Sequence, residues 1–216
     1  MRVRKGTATV QAAPARRWKY LLYRDGDTPP EGMPLLLYLH GSGQCGNDLE
    51  LVRQHWPPAY CPHIPMLVLA PQCPADVPLW EPHAVMALLD QVVQEQPVDR
   101  RRMYITGMSM GAYGMWETLV RYPDVFAAAA SVCHGGYTQR AARIKHIPTW
   151  LFHGLRDTLV DPALSLRMAQ ALAAEEAPDL RMTLYAKADH DAWSLAYAEQ
   201  DLYLWMLGQH NTRVTG

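Results

Sequence analysis

Residues 104–113 read YITGMSMGAY and set Ser109 between Gly107 and Gly111. A serine hydroxyl is a weak nucleophile until a base removes its proton and hydrogen-bond donors receive the charge that develops on the carbonyl it attacks. The chain must therefore also supply a histidine, a carboxylate to orient it, and unpaired N–H groups. A G-x-S-x-G pentapeptide arises by chance often enough that its surroundings have to decide. Here Ser109 follows the apolar run 102–106 (RMYIT) and precedes a helical pattern over 110–122, the strand–turn–helix context of a nucleophile elbow. In so tight a turn, side chains at the flanking positions would collide with backbone, which gives both glycines a physical reason. Gly114 would let the following helix approach the sheet, and the helix N-terminus places a positive dipole end at the developing oxyanion.

The remaining parts are expected just after other strands. The run 34–39 (PLLLYL) stops at His40-Gly41-Ser42-Gly43. Its loop offers a backbone donor, assigned to the N–H of Ser42 with Gly43 next, alongside the N–H of Met110 directly after the nucleophile. The run 149–152 (TWLF) leads into HGLRDTLVD, with two aspartates. Asp161, immediately before Pro162, fits a helix N-cap, which leaves Asp157 as the acid that would orient an imidazole. After 181–185 (RMTLY) comes AKADHDAW, whose single histidine is His190. His134 also follows a strand run and competes for the role of base, but is assigned to the pocket wall. His40 and His153 stand beside strand-end glycines and read as structural. His55, His63, His83, His146 and His210 fall in loops or at helix ends with nothing tying them to Ser109.

The near-continuous apolar runs 34–39, 66–70, 102–106, 126–132, 149–152 and 181–185 predict strands covered on both faces, as in a parallel sheet. Helical patterns lie between them at 83–96, 110–122, 162–175 and 192–207. In the second, Ala112, Tyr113, Met115, Trp116, Leu119 and Val120 form a broad apolar stripe. The segment 17–23 (RWKYLLY) predicts one antiparallel edge strand, and 47–55 a short helix. This alternation implies a mostly parallel central sheet with helices on both faces, in a single α/β domain spanning 1–216, with its chemistry at the carboxyl ends of the strands. Only residues 133–148 separate two successive strand runs, too few for a cap domain. The site is expected to be open, lidded at most by loops such as 44–65.

The order serine, acid, histidine is that of the α/β-hydrolase fold. LLLYLHGSG, APQCP with LW downstream, VDRRRMYITGMSMGAYGMWE, WLFHGLRDTLVD and ADHDAW together resemble small α/β-hydrolases of the carboxylesterase/phospholipase, dienelactone-hydrolase-related and "predicted peptidase" esterase group. The likeness spans about 17–207. It implies a Ser-His-Asp hydrolase of carboxylic esters that needs no cofactor, with Ser109, Asp157 and His190 in the catalytic roles; no metal is expected either, because no histidine–carboxylate cluster shows ligand spacing. Dienelactone hydrolases proper carry cysteine where this chain has Ser109, which argues against that activity in its strict form.

Composition narrows the partners. With 49% hydrophobic and 19% charged residues and a formal net charge of −1, the chain is that of a globular protein. The basic clusters at Arg16–Arg17 and Arg100–Arg102 are too short to track a phosphate backbone, so no nucleic-acid partner is expected. No segment has the continuous apolar length of a membrane span or a signal peptide, which predicts a cytoplasmic location. Four scattered cysteines (Cys45, Cys61, Cys73, Cys133) lack metal-ligand spacing and are expected to stay reduced. Trp80, Met108 and Trp193, with His134, are candidates for the substrate wall, core packing being the alternative for the tryptophans. No charged cluster near the motifs suggests a charged substrate. The expected partner is a small-molecule ester, short-chain or aryl, with a peptidase or thioesterase of the same triad as the alternative and a non-catalytic binding protein of this fold as a remote one.

Overall fold

The computed structural model describes residues 2–10 and 16–214. Its strands are β1 (Arg2–Val10), β2 (Arg16–Arg24), β3 (Met33–Leu39), β4 (Leu67–Pro71), β5 (Val98–Met108), β6 (Ala128–Val132), β7 (Thr149–Gly154) and β8 (Leu180–Tyr185). The helices are α1 (Leu49–Arg53), α2 (Pro57–Tyr60), α3 (Pro82–Glu95), α4 (Met110–Arg121), α5 (Ala141–Ile144), α6 (Ala163–Ala174), α7 (Trp193–Ala196) and α8 (Gln200–Leu207). The strands form one sheet in the order β1-β2-β4-β3-β5-β6-β7-β8. β1, β2 and β4 pair antiparallel in turn, and every other neighbouring pair is parallel.

The seven residues of β3 are all buried because alternate side chains enter two different cores. Leu35, Leu37 and Leu39 join the core under α3, α4 and α6, whereas Leu36 and Tyr38 join the one under α1, α7 and α8. A strand buried on both faces cannot show polar alternation, which is why these runs read as continuous apolar stretches. From β3 the chain crosses to β4 on one side and later to β5 on the other. That reversal opens a crevice at the carboxyl ends of β3 and β5, the place where open α/β sheets gather their chemistry. Between β6 and β7 the chain holds only a 3₁₀ turn (Thr138–Arg140) and α5, and no cap is inserted.

Three expectations change. β2 is not the edge strand: β1 pairs along its whole length outside it. Of the described β1 side chains only Ala8 is buried, so the segment carries no apolar signal, and its Arg2, Arg4 and Lys5 suit an edge that must not recruit another strand. Arg17 is exposed, while the side chain of Arg16 lies outside the described residues. The pattern over 192–207 divides into α7 and α8. The Ala198 and Glu199 amides donate to Leu195 and Ala196 three residues back, and the Tyr203 hydroxyl donates to the Tyr197 carbonyl at 2.7 Å, so the chain tightens and turns there. The helix expected from Pro162 begins at Ala163, with Asp161 Oδ1 accepting the Ala163 N–H at 2.9 Å, so its capping role stands.

Candidate active site

β5 runs directly into α4 through Ser109, whose backbone sits at φ 53° and ψ −123°. A non-glycine residue there is strained, and the surroundings show what holds it. A Cβ on Gly107 would lie 2.3 Å from the Gly111 carbonyl oxygen, and one on Gly111 would lie 1.9 Å from that of Leu39. The Ser109 N–H donates to the Val132 carbonyl at 2.9 Å, and the Ser109 carbonyl accepts the Ala112 and Tyr113 amides, opening α4. The turn thus lifts the serine hydroxyl above the sheet.

His190 Nε2 lies 3.0 Å from Ser109 Oγ, and His190 Nδ1 lies 2.7 Å from Asp157 Oδ2. The loop carrying His190 is seated on the end of β7. The Arg156 N–H donates to the Ala188 carbonyl at 2.9 Å, and Gly154 leaves room for the Asp189 carbonyl, which a Cβ would meet at 2.2 Å. The Cys133 thiol donates to the His190 carbonyl at 3.3 Å. The Asp157 side chain is fully buried, yet its Oδ1 accepts the Leu159 and Val160 amides, both at 2.9 Å. Burial pushes this carboxyl up, but those amides and His190 outweigh it and hold it below the ordinary carboxylate range.

The loop after β3 closes the other side. The Cβ position of Gly41 is 3.5 Å from Ser109 Cβ. Ser42 opens a 3₁₀ turn (Ser42–Gln44) and Met110 opens α4, so neither N–H has a partner within its own helical turn. His40 staples this loop. Its Nδ1 donates to the Gly41 carbonyl at 2.6 Å and its Nε2 accepts the Cys73 N–H at 2.9 Å. Burial lowers its pKa to about 4, so the ring is uncharged at neutral pH.

Two expected wall residues belong to the core. Trp80 is 3% exposed: its ring fills the slot left by Gly114 and packs on His40, and its N–H donates to the His40 carbonyl at 3.0 Å. Met108 is 1% exposed and packs beneath Gly41. Both are buried and support the serine and its neighbouring loop from below. His134 and Trp193 are half-buried. The Trp193 ring stands edge-on to His190 at 5.4 Å and to His55 at 5.8 Å. His134 packs against Tyr113 at 5.6 Å, and Tyr113 against Tyr137. Two aromatic groups therefore form, Trp193 with His55 against His190 and Tyr113 with His134 and Tyr137, and Tyr113 and His55 had no distinguishing mark in the sequence.

Among the described residues, the donor atoms of Cys133, His153 and Asp157 lie within 4.8 Å of one another, the spacing of a metal site. Each is already engaged, however: the thiol with the His190 carbonyl, His153 with Asp157, and the carboxylate with four N–H groups. The cluster reads as a hydrogen-bond network.

This geometry has relatives. Residues 79–165, which include Ser109 and Asp157, match the Esterase PHB depolymerase family. A solved thermostable esterase superposes with a TM-score of 0.79 at 29% identity, over 95% of this chain and 63% of that one. The chain has the α/β-hydrolase fold. A ferulic acid esterase shares the hydrolase fold at a TM-score of 0.72 and 16% identity, over 95% and 97% of the two chains. Among curated proteins, the chain is 26% identical to a bifunctional acetylxylan esterase/xylanase of Neocallimastix patriciarum over 59% of its own length. It is 35% identical to poly(3-hydroxyalkanoate) depolymerase C of Paucimonas lemoignei over 25% of its length. These matches span 20% and 13% of the two relatives, so the chain corresponds to a minor part of each. None of the helices among the described residues is long and apolar enough to cross a membrane.

Proposed function

We propose that the protein is a serine carboxylesterase acting on small esters of short-chain or aryl acids. The observation that carries the reading is the unbroken line from Ser109 Oγ to His190 Nε2, 3.0 Å, and from His190 Nδ1 to Asp157 Oδ2, 2.7 Å. His190 takes the Ser109 proton as the oxygen attacks the ester carbonyl. The N–H groups of Met110 and Ser42 receive the oxyanion, and the positive end of α4 adds to their field. His190 then gives its proton to the departing alcohol, leaving an acyl-serine, and activates the water that releases the acid. Asp157 keeps the imidazole oriented and stabilises its cation throughout. The esterase relatives support the bond type, and the aromatic groups flanking the serine support an aryl or short acyl group.

The test is hydrolysis of acetyl, butyryl and octanoyl p-nitrophenyl esters by wild type and Ser109→Ala. Turnover that disappears in the variant supports the reading, and the chain-length trend sizes the acyl site. Activity that survives in Ser109→Ala rules it out. An inactive wild type that cleaves thioesters or peptides would transfer the same machinery to those substrates.

A further inference from the structure

We propose that His153 is a positioning residue for Asp157: a second imidazole N–H on the same carboxylate oxygen that holds His190. The inference rests on the reading of Ser109, Asp157 and His190 as a triad. Asp157 Oδ2 lies 2.7 Å from His190 Nδ1 and 3.1 Å from His153 Nε2. His153 belongs to β7 and is fully buried. Its Nε2 also faces the Val160 carbonyl at 3.1 Å, so two acceptors converge on this nitrogen and it must carry the proton. Its Nδ1 lies 2.7 Å from the buried Ser165 Oγ, whose hydroxyl hydrogen it accepts. The two acceptors set the tautomer that presents a donor to Asp157, and the Ser165 hydroxyl completes it by holding the other nitrogen.

The consequence is a carboxylate held at every corner. Oδ1 takes the Leu159 and Val160 amides; Oδ2 takes His190 and His153. Any rotation of the group breaks several bonds at once, so Oδ2 stays aligned with His190 while that ring gains and loses its proton. The His153 N–H also shares the carboxylate's charge, which moderates the attraction between Asp157 and an imidazolium at 190.

Replacing the donor tests this. His153→Leu should lower kcat about tenfold to a hundredfold, the scale of a lost hydrogen bond to a buried charge, with little change in KM. The acid limb of kcat/KM should move to higher pH, because a less compensated carboxylate holds the imidazolium more firmly. His153→Gln can donate to Asp157 and accept from Ser165, and should restore both kcat and the limb towards wild type. Ser165→Ala keeps the ring but loses the hydrogen bond that holds its Nδ1, and should shift both quantities the same way by less. It also covers the case in which His153→Leu does not fold. The other titratable groups facing the cluster are His134, Cys133 and Asp191, unchanged in every variant; burial lowers His134 and raises the Cys133 thiol to about 12.

A wild-type kcat and acid limb in His153→Leu or Ser165→Ala overturns the proposal. So does a loss in both His153 variants that follows the melting temperature with the limb unmoved. If Ser109→Ala, run beside them, keeps its activity, the triad reading itself has failed. Loss in Ser109→Ala with indifference at His153 removes only the positioning role.

Discussion

The Cα of Gly111 stands so close to Leu39 that a Cβ there would lie 1.9 Å from the Leu39 carbonyl oxygen. That contact joins the first turn of α4 to the end of β3, and so brings the serine elbow and the His40–Gly43 loop together. The obstacle is backbone on both sides, which no rotamer change relieves. Gly111→Ala should therefore be destabilised by at least the about 1–3 kcal/mol typical of overpacking, measured by denaturant unfolding. Gly43→Ala is the control: nothing lies within 4 Å of its Cβ position, and it should stay within about 0.5 kcal/mol of wild type.

The two aspartates after β7 differ in what they hold. Asp157 meets His190, whereas Asp161 Oδ1 accepts the Ala163 N–H at the start of α6. Asp157→Asn should fold and lose turnover by roughly 10⁴, because an amide that donates its own N–H stabilises the wrong imidazole tautomer. Asp161→Asn keeps an oxygen for the cap and should retain near-wild-type kcat. Steady-state kinetics on p-nitrophenyl acetate decide it, and the reverse outcome would reassign the acid.

Ser109, Asp157 and His190 could be singled out from the sequence because each comes just past a strand run, and in an α/β sheet that position alone sends a residue to one edge. The glycines at 107 and 111 were legible for the same reason that they are needed, since the elbow tolerates no side chain there. Position after a strand does not say which way a side chain points, and Trp80 and Met108 show the limit. Trp80 turns inward because Gly114, thirty-four residues on, leaves the slot it fills. β1 was hidden because Ala8 is its only buried residue among those described, which leaves no apolar period to detect. His153 was legible as structural but not as a partner of Asp157, because its ring is held from both sides, by the Val160 carbonyl in the loop after β7 and by Ser165 on the next helix.

His40 gives the loop beside Ser109 a pH limit. Its pKa falls from 6.5 to about 4 on folding, because burial opposes its charge. Above 6.5 the ring is neutral folded and unfolded; between 6.5 and 4 only the unfolded chain binds the proton. Stability is therefore present above 6.5 and is lost as pH falls towards 4, by about 3 kcal/mol for the full separation. Protonation also removes the lone pair that accepts the Cys73 N–H. Denaturant unfolding between pH 4 and 8 should show this slope, with His134, lowered in the same sense, adding to it. His40→Gln should be weaker at neutral pH and flatter by one proton across the window. An equal slope in the variant would assign the acid sensitivity elsewhere.

Trp193 tests the aromatic side of the cleft. Its ring stands edge-on to His190 at 5.4 Å and to His55 at 5.8 Å, so it both touches the proposed base and contributes apolar surface beside it. Trp193→Phe preserves a flat ring and should retain most activity on every ester. Trp193→Ala should lose about tenfold in kcat/KM on an aryl ester such as p-nitrophenyl benzoate, the scale of one lost aromatic contact. Most of that loss should appear in KM, with a smaller effect on p-nitrophenyl acetate, whose acyl group is a single methyl. If both esters fall equally and in kcat, Trp193 orients His190 rather than binding the acyl group. The aryl preference would then have to come from the Tyr113–His134 side.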